Sequence, residues 1–278
     1  MTKAARPSKS RRSPSRRSPR SRRKSAPRIK RHYGGKPDLP DPRDRMYAAA
    51  RRAPKLPPLV DLRNHCPPVY RQGKLNCCTG NAIAAAIEFD QRRQGTREFR
   101  PSRLFVYYNE RVAEGTVDQD AGARIRHGIK AVARFGAPPE SVWPYDIEKF
   151  AHRPPKAAYA AAKKNLVSSY FRVRQKLDHM RSCLAEGYPI VVGFLAAPAL
   201  ESAKVRRSGV LPMPRPGDKP IGHHVVLAVG YDDARRRFIV RNSWGRSWGL
   251  KGYFYMPYDY LIRPNLASDF WTIRSVAG

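Results

Sequence analysis

The first 32 residues contain no aspartate and no glutamate. That excludes an internally neutralised segment there. No apolar run in the chain approaches the ~20 residues of a membrane helix, which argues against a helical span. The opening "MTKAARPSKSRRSPSRR" lacks the apolar stretch of a secretory signal, so no export is expected from it. Only four cysteines occur in 278 residues (Cys66, Cys77, Cys78 and Cys183), too few for a disulfide scaffold. Without an export signal they are expected as reduced thiols in an intracellular compartment, cytoplasm, nucleus or virion.

What is present is positive charge. The chain holds 55 Lys+Arg against 22 Asp+Glu, a formal +33. Residues 1–32 supply 14 of the basic residues, so the remainder still carries a strong excess. Such a field favours polyanions. The Ser-Arg-Pro repeat "SRRSPSRRSPRSRR" has almost nothing to bury, and residues 1–32 read as a disordered basic tail. Non-specific phosphate binding, a nuclear-import address and a solubilising tail are all compatible with it. Its Ser-Pro and Arg-Ser pairs are also phosphorylation points in kind.

Residues 33–58, "YGGKPDLPDPRDRMYAAARRAPKLPP", form a proline-broken connector or short pro-segment. Proline denies it long helices and central strands, and it is expected to lie over the surface of the folded part. Residues 59–278, with 41% hydrophobic content across the chain, are long enough for one large domain or two packed lobes.

The front of that part patterns as helix. From Cys78 to Arg92 the residues Ala82, Ile83, Ala86 and Ile87 recur at helical spacing. "RPSRLFVYYNERVAEG", "AGARIRHGIKAVARFG" and "QKLDHMRSCLAEG" repeat the pattern, each closed by glycine. The back turns to short Val-, Ile- and aromatic-rich runs: "YPIVVGFL", "HHVVLAVGYDD", "RRFIVRNS", "GYFYMP" and "DFWTIRSV". Helices first and strands later predict an α+β fold with a helical lobe, a β lobe and a cleft between them.

The stretch "RQGKLNCCTGNA" places a cysteine at the mouth of the first helix, where free N–H groups and the helix dipole favour a thiolate. A cysteine nucleophile also needs an imidazole, a group that holds the imidazole, and donors for an oxyanion. "GHHVVLAVGYDD" offers His223 or His224, and "VRNSWGRSWG" offers Asn242. A hairpin joining those two strands sets His and Asn side by side. Gln72 lies six residues before Cys78 and can bring a side-chain amide into the same space.

Taken in order, "QGKLNCCTGNA", "HHVVLAVGYDD" and "RNSWGRSWGLKGYFYMPYDY" resemble the papain-like cysteine peptidases, closest in style to variants from bacteria and large DNA viruses. "YGGKPDLPDPRD" and "AGARIRHGIKAVARFGAPPESVWPYD" extend the likeness over residues 33–278. The resemblance implies a papain-like two-lobed fold and hydrolysis of peptide bonds by an endopeptidase with no metal or organic cofactor. It implies Cys78 as nucleophile, His224 as base, Asn242 as the group orienting His224, and Gln72 with the Cys78 N–H as oxyanion donors. Trp244 would shield the His–Asn contact, while Gly122, Ala123 and His223 would border the substrate. His224 comes 146 residues after Cys78, within the range of ~130–150 for papain-type motifs.

Three departures stand out. Leu75 replaces a cysteine of secreted relatives, Thr79 replaces an aromatic residue after the nucleophile, and Cys77 replaces serine before it. The long helical pro-domain of secreted relatives has no counterpart, so any latency would come from residues 33–58 or from location. The expected partners are a protein or peptide substrate and, through residues 1–32, nucleic acid or another polyanion; a monomer is expected. A catalytically inactive, polyanion-binding relative and a thiol acyltransferase are the alternatives.

Overall fold

In this computed structural model the described residues are 1–2, 33–48, 55–96 and 98–276. Contacts divide the chain into residues 1–30 and 31–278, and the helices and sheets belong to the second unit. The basic tail expected over residues 1–32 lies almost wholly outside the described residues.

The elements run β1 (Gly35–Lys36), β2 (Leu59–Asp61), α1 (Cys78–Gln94), α2 (Arg103–Glu114), β3 (Ala123–Arg124), α3 (Ile125–Phe135), α4 (Lys156–Ala162) and β4 (Val167–Arg172). They continue with α5 (Leu177–Ala185), β5 (Ile190–Ala196), α6 (Ala203–Ser208), β6 (Gly222–Asp232), β7 (Arg237–Arg241), β8 (Tyr253–Pro257), α7 (Tyr258–Ile262) and β9 (Ala267–Val276). The result is the expected α+β arrangement, a helical lobe against an antiparallel sheet. The sheet order is β4-β9-β5-β6-β7-β8, with β2 added along β6.

Local sequence explains the helix ends. Ser102 caps α2 by accepting the Phe105 N–H at 3.2 Å, and Gly115 ends it at φ 68°, where a side chain would be strained. Helix α1 is the centre of the molecule, with Cys78 to Gln91 all buried. Its small residues permit close packing. A methyl on Gly80 would stand 2.9 Å from the Arg103 carbonyl of α2.

Strand β6 shows period-two burial on both faces. Val225, Leu227 and Val229 join Cys78, Ala82 and Ile83 in the core beneath α1. Val226, Ala228 and Tyr231 join Phe194, Phe238 and Phe254 in the core on the other face. The β6–β7 hairpin turns at Asp233–Arg236, closed by a 3.1 Å bond from the Arg236 N–H to the Asp233 carbonyl.

The segment after Tyr33 departs from expectation. It does not merely lie over the surface: Gly35 and Lys36 pair in parallel with Ala123 and Arg124, inside the groove between the lobes. Beyond them the chain is pinned by buried polar groups. The Asp38 carboxylate accepts the Trp271 Nε1–H at 2.9 Å and the Arg126 N–H at 3.1 Å. Asp44 accepts from Arg126 at 2.6 Å and from Arg172 at 3.1 Å. Fixed acceptors and guanidinium forks of this kind are what proline-rich backbone needs in place of its own ladder bonds.

Candidate active site

Cys78 is the first residue of α1 and is fully buried. Burial pushes its thiol up to about 11, against the backbone N–H groups of Val225, Gly34 and Thr79, which favour the thiolate. Val225 directly succeeds His224 on β6, so the strand brings the imidazole residue to the thiol's side of the groove. Gly34 belongs to the N-terminal segment. The structure therefore shows a nucleophile closed off by its own chain and held as a neutral thiol.

His224 and Asn242 are joined as the hairpin required. His224 Nε2 lies 2.9 Å from Asn242 Oδ1. The same Oδ1 accepts the Ser243 N–H at 2.8 Å, which identifies it as the carbonyl oxygen. His224 Nε2 must then donate, and in the neutral ring Nδ1 is the basic nitrogen. Trp244 stacks on the imidazole with ring centroids 5.0 Å apart at 25°, and Trp248 meets Trp244 edge-on at 5.0 Å. Both indoles are buried, so the His–Asn bond is shielded from water.

Gln72 is buried beside this hairpin. Its Oε1 accepts the Ser243 hydroxyl at 2.5 Å, and its Nε2 donates to the Leu75 carbonyl at 3.1 Å. One amide N–H goes to Leu75, and the amide has a second to offer.

Gly122 and Ala123 border the groove, but here they face the segment at Tyr33–Lys36. The Ala123 N–H donates to the Gly34 carbonyl at 2.8 Å. Gly122 has φ 71°, and a methyl on it would stand 1.9 Å from the Gly34 oxygen. His223 forms a parallel bridge with Gly34 and sits beside Gly35. Cys77 is a buried thiol beside the Tyr145 hydroxyl at 2.7 Å and the Asn81 amide at 3.0 Å, and burial pushes it up to about 12. Its surroundings are those of a structural thiol.

Sequence reasoning missed Tyr33 and Gly34. Tyr33 packs edge-on against His224 and Trp244 and donates its hydroxyl to Glu201 at 2.8 Å. The Gly34–Gly35 pair was the available signal, since only glycine permits so close a backbone approach. A methyl on Gly34 would stand 1.8 Å from the Asn76 carbonyl. Also missed was Glu110, wholly buried behind the nucleophile, which accepts the Thr79 hydroxyl at 2.6 Å. Burial pushes its carboxyl up to about 8. Among the described residues no group of three or more His, Cys, Asp or Glu converges as a metal cage.

A thiol at a helix N-terminus, an imidazole locked by an amide and a stacked indole define a thiol hydrolase site in a two-lobed α+β fold. The chain belongs to the papain family of cysteine proteases, whose profile, described as "Papain family cysteine protease", matches residues 56–261. It is 44% identical over 214 residues to an uncharacterised peptidase C1-like protein of Acanthamoeba polyphaga mimivirus, covering 74% of this chain and 69% of that protein. Against cathepsin 7 of Mus musculus identity is 26% over 217 residues, covering 74% and 62%. The fold superposes on the crystal structure of xylellain, a cysteine protease from Xylella fastidiosa, with TM-score 0.82 and 42% identity, covering 90% of this chain and 98% of that one.

Proposed function

We propose that this chain is a latent cysteine endopeptidase in which Cys78 is the nucleophile, His224 the base, and Asn242 the group that orients it. The observation that carries the assignment is the Asn242 Oδ1 clamp on His224 Nε2, which directs the basic Nδ1 away from the hairpin. The thiol proton passes to His224 Nδ1, and the thiolate adds to the peptide carbonyl carbon. The oxyanion is held by the Cys78 N–H and the second N–H of Gln72. Imidazolium then returns the proton to the departing amine as the C–N bond breaks, leaving a thioester. Water, deprotonated by the same nitrogen, releases the acid and restores the thiol.

Latency arises from the groove's present occupant. Substrate must displace Tyr33–Lys36 before its carbonyl can reach Cys78. We further propose that the acid-free, arginine-rich residues 1–32 bind nucleic acid or another polyanion and hold the peptidase there. Log-log salt dependence of DNA retention for the full chain, lost on deleting residues 1–32, tests that part.

The catalytic assignment is tested by alkylation. The full chain, reduced, and its Gly34→Val variant are treated with an epoxide inhibitor of thiol peptidases, and the adduct is located by mass spectrometry. The expected result is a Cys78 adduct, faster in Gly34→Val and abolished by His224→Ala. A folded Gly34→Val protein with no adduct at Cys78 would overturn the reading in favour of an inactive, polyanion-binding relative.

A further inference from the structure

His223 is a side chain whose hydrogen-bonding state is fixed by neighbours outside the catalytic set. A hydroxyl has one proton, and that of Ser268 goes to the Asp269 carboxylate, Oγ to Oδ2 at 2.7 Å. The Ser268 oxygen is then an acceptor for His223 Nε2, 3.4 Å away. Asp269 is itself held by Arg172 at 2.9 Å and by the Asp38 N–H at 2.8 Å, so the end of this relay is anchored. With Nε2 protonated, the neutral ring carries its lone pair on Nδ1. Burial lowers the affinity of His223 for a second proton, so that form persists at neutral pH.

The lone pair faces the groove. His223 Nδ1 is buried and has no hydrogen-bond partner among the described residues. A methyl built on Gly35 would stand 2.4 Å from it and 3.0 Å from Val225 Cγ2. The ring reaches this place because β5 carries Gly193, where a methyl would meet His223 Cε1 at 2.4 Å. One position further along, Lys36 donates to Glu114 at 2.8 Å, a carboxylate with only 3% of its side chain exposed. Two successive groove positions thus present acceptors.

The chemistry sets the orientation. The leaving amine must receive its proton from His224, and Tyr33 lies on that side. Gly35 and Lys36 therefore occupy the acyl side, with Gly34 over the thiol and Gly35 one residue beyond.

Resting on the peptidase reading above, we propose that His223 is a specificity-determining residue that selects, two residues before the scissile bond, a side chain that donates hydrogen bonds. Glutamine, lysine and arginine have that chemistry, with an aliphatic stem to lie along Val225. Leucine leaves the Nδ1 lone pair buried and unpaired, and glutamate sets a second acceptor against it.

The test uses the full chain carrying Gly34→Val and the substrates acyl-X-Gly-aminomethylcoumarin, with X as Gln, Arg, Leu or Glu. The expected result is a kcat/KM for Gln and Arg at least tenfold above Leu and Glu. Adding His223→Leu is expected to remove that advantage while leaving the Leu substrate within about threefold, a pattern that general damage to the fold does not produce. Cleavage of the Leu substrate as fast as Gln, or an unchanged ranking in His223→Leu, overturns the proposal and leaves the peptidase reading standing. If no substrate is cut and the epoxide leaves Cys78 unmodified, both readings fall together. Should His223→Leu fail to fold, the ranking in the parent decides alone.

Discussion

Tyr33 packs edge-on against His224, ring centroids 5.7 Å apart at 88°, and its hydroxyl is tied to Glu201. A residue near the start of the folded unit thus seals the imidazole, and the next residue, Gly34, brings its backbone to Cys78. The closure depends on an absence of side chain. At Gly34 a methyl would stand 1.8 Å from the Asn76 carbonyl, a backbone atom that cannot swing aside. Gly34→Val is therefore expected to drive Tyr33–Lys36 out of the groove while Asp38 and Asp44 keep their bonds. Alkylation of Cys78 by iodoacetamide at pH 7 should rise at least tenfold with the melting temperature little changed. An unchanged rate would show that the segment does not limit access.

Asn242 should act through His224 rather than on substrate. Its Oδ1 accepts from both His224 Nε2 and the Ser243 N–H, so truncation frees the ring to rotate and to exchange tautomers. In a Gly34→Val background, Asn242→Ala is expected to lower kcat about 100-fold, the order of loss for a misplaced catalytic group, with little effect on KM. Asn242→Asp keeps an acceptor and adds a negative charge. It should recover much of the rate and move the alkaline limb of the pH profile upward, because the imidazolium gains an ionic partner. Equal losses in both variants would make Asn242 structural only.

The thiol site was legible in the sequence because each of its parts sits at a marked place. Cys78 opens the alanine-rich helix, and His224 and Asn242 flank a hairpin whose turn, Asp233–Arg236, announces itself by composition. The four helices and five strands anticipated from periodicity all occur. Strand β4, "VSSYFR", was not anticipated, since only Val167 in it is buried and its ladder with β9 is irregular. The path of Tyr33–Lys36 was hidden for a different reason. Burial there is made by glycine and backbone, which leave no hydrophobic pattern to read. Glu110 and the Asp38 cluster were hidden because a charged residue in a sequence gives no sign that its partners will surround it.

Glu110 yields a stability prediction. Its folded carboxyl titrates at about 8 against an ordinary 4.5, with burial the main cause. Glu114 on the same helix raises it further, whereas the Thr79 hydroxyl and Arg111 lower it. A raised acid is neutral in the fold, so its contribution is fully present below pH 4.5 and is lost between 4.5 and about 8 as the unfolded chain ionises first. Glu110→Gln keeps an acceptor for Thr79 and removes the titration. It should match the parent at pH 4.5 and be more stable at pH 8 by ~1 kcal/mol or more, ~2–4 °C in melting temperature. Equal stability at both pH values would sink the assignment.

Glu114 has the opposite sign. Burial alone would raise it, but hydrogen bonds from His127, Lys36 and the Arg124 N–H together hold it down to about 2. A depressed acid contributes stability that is fully present above pH 4.5 and is lost as pH falls from 4.5 toward 2. Lys36 is the last residue of the segment in the groove, so protonating Glu114 also releases that end of it. Glu114→Gln at pH 7 should imitate the acid state without touching the thiol's own ionisation: alkylation of Cys78 should rise severalfold, and the melting temperature should fall. Between pH 4.5 and 2 the parent should lose stability faster than Glu114→Gln. If the two melting curves run parallel over that range, the three donors to Glu114 are not coupled to its ionisation, and the Lys36 end of the segment is held by its backbone pairing with β3 alone.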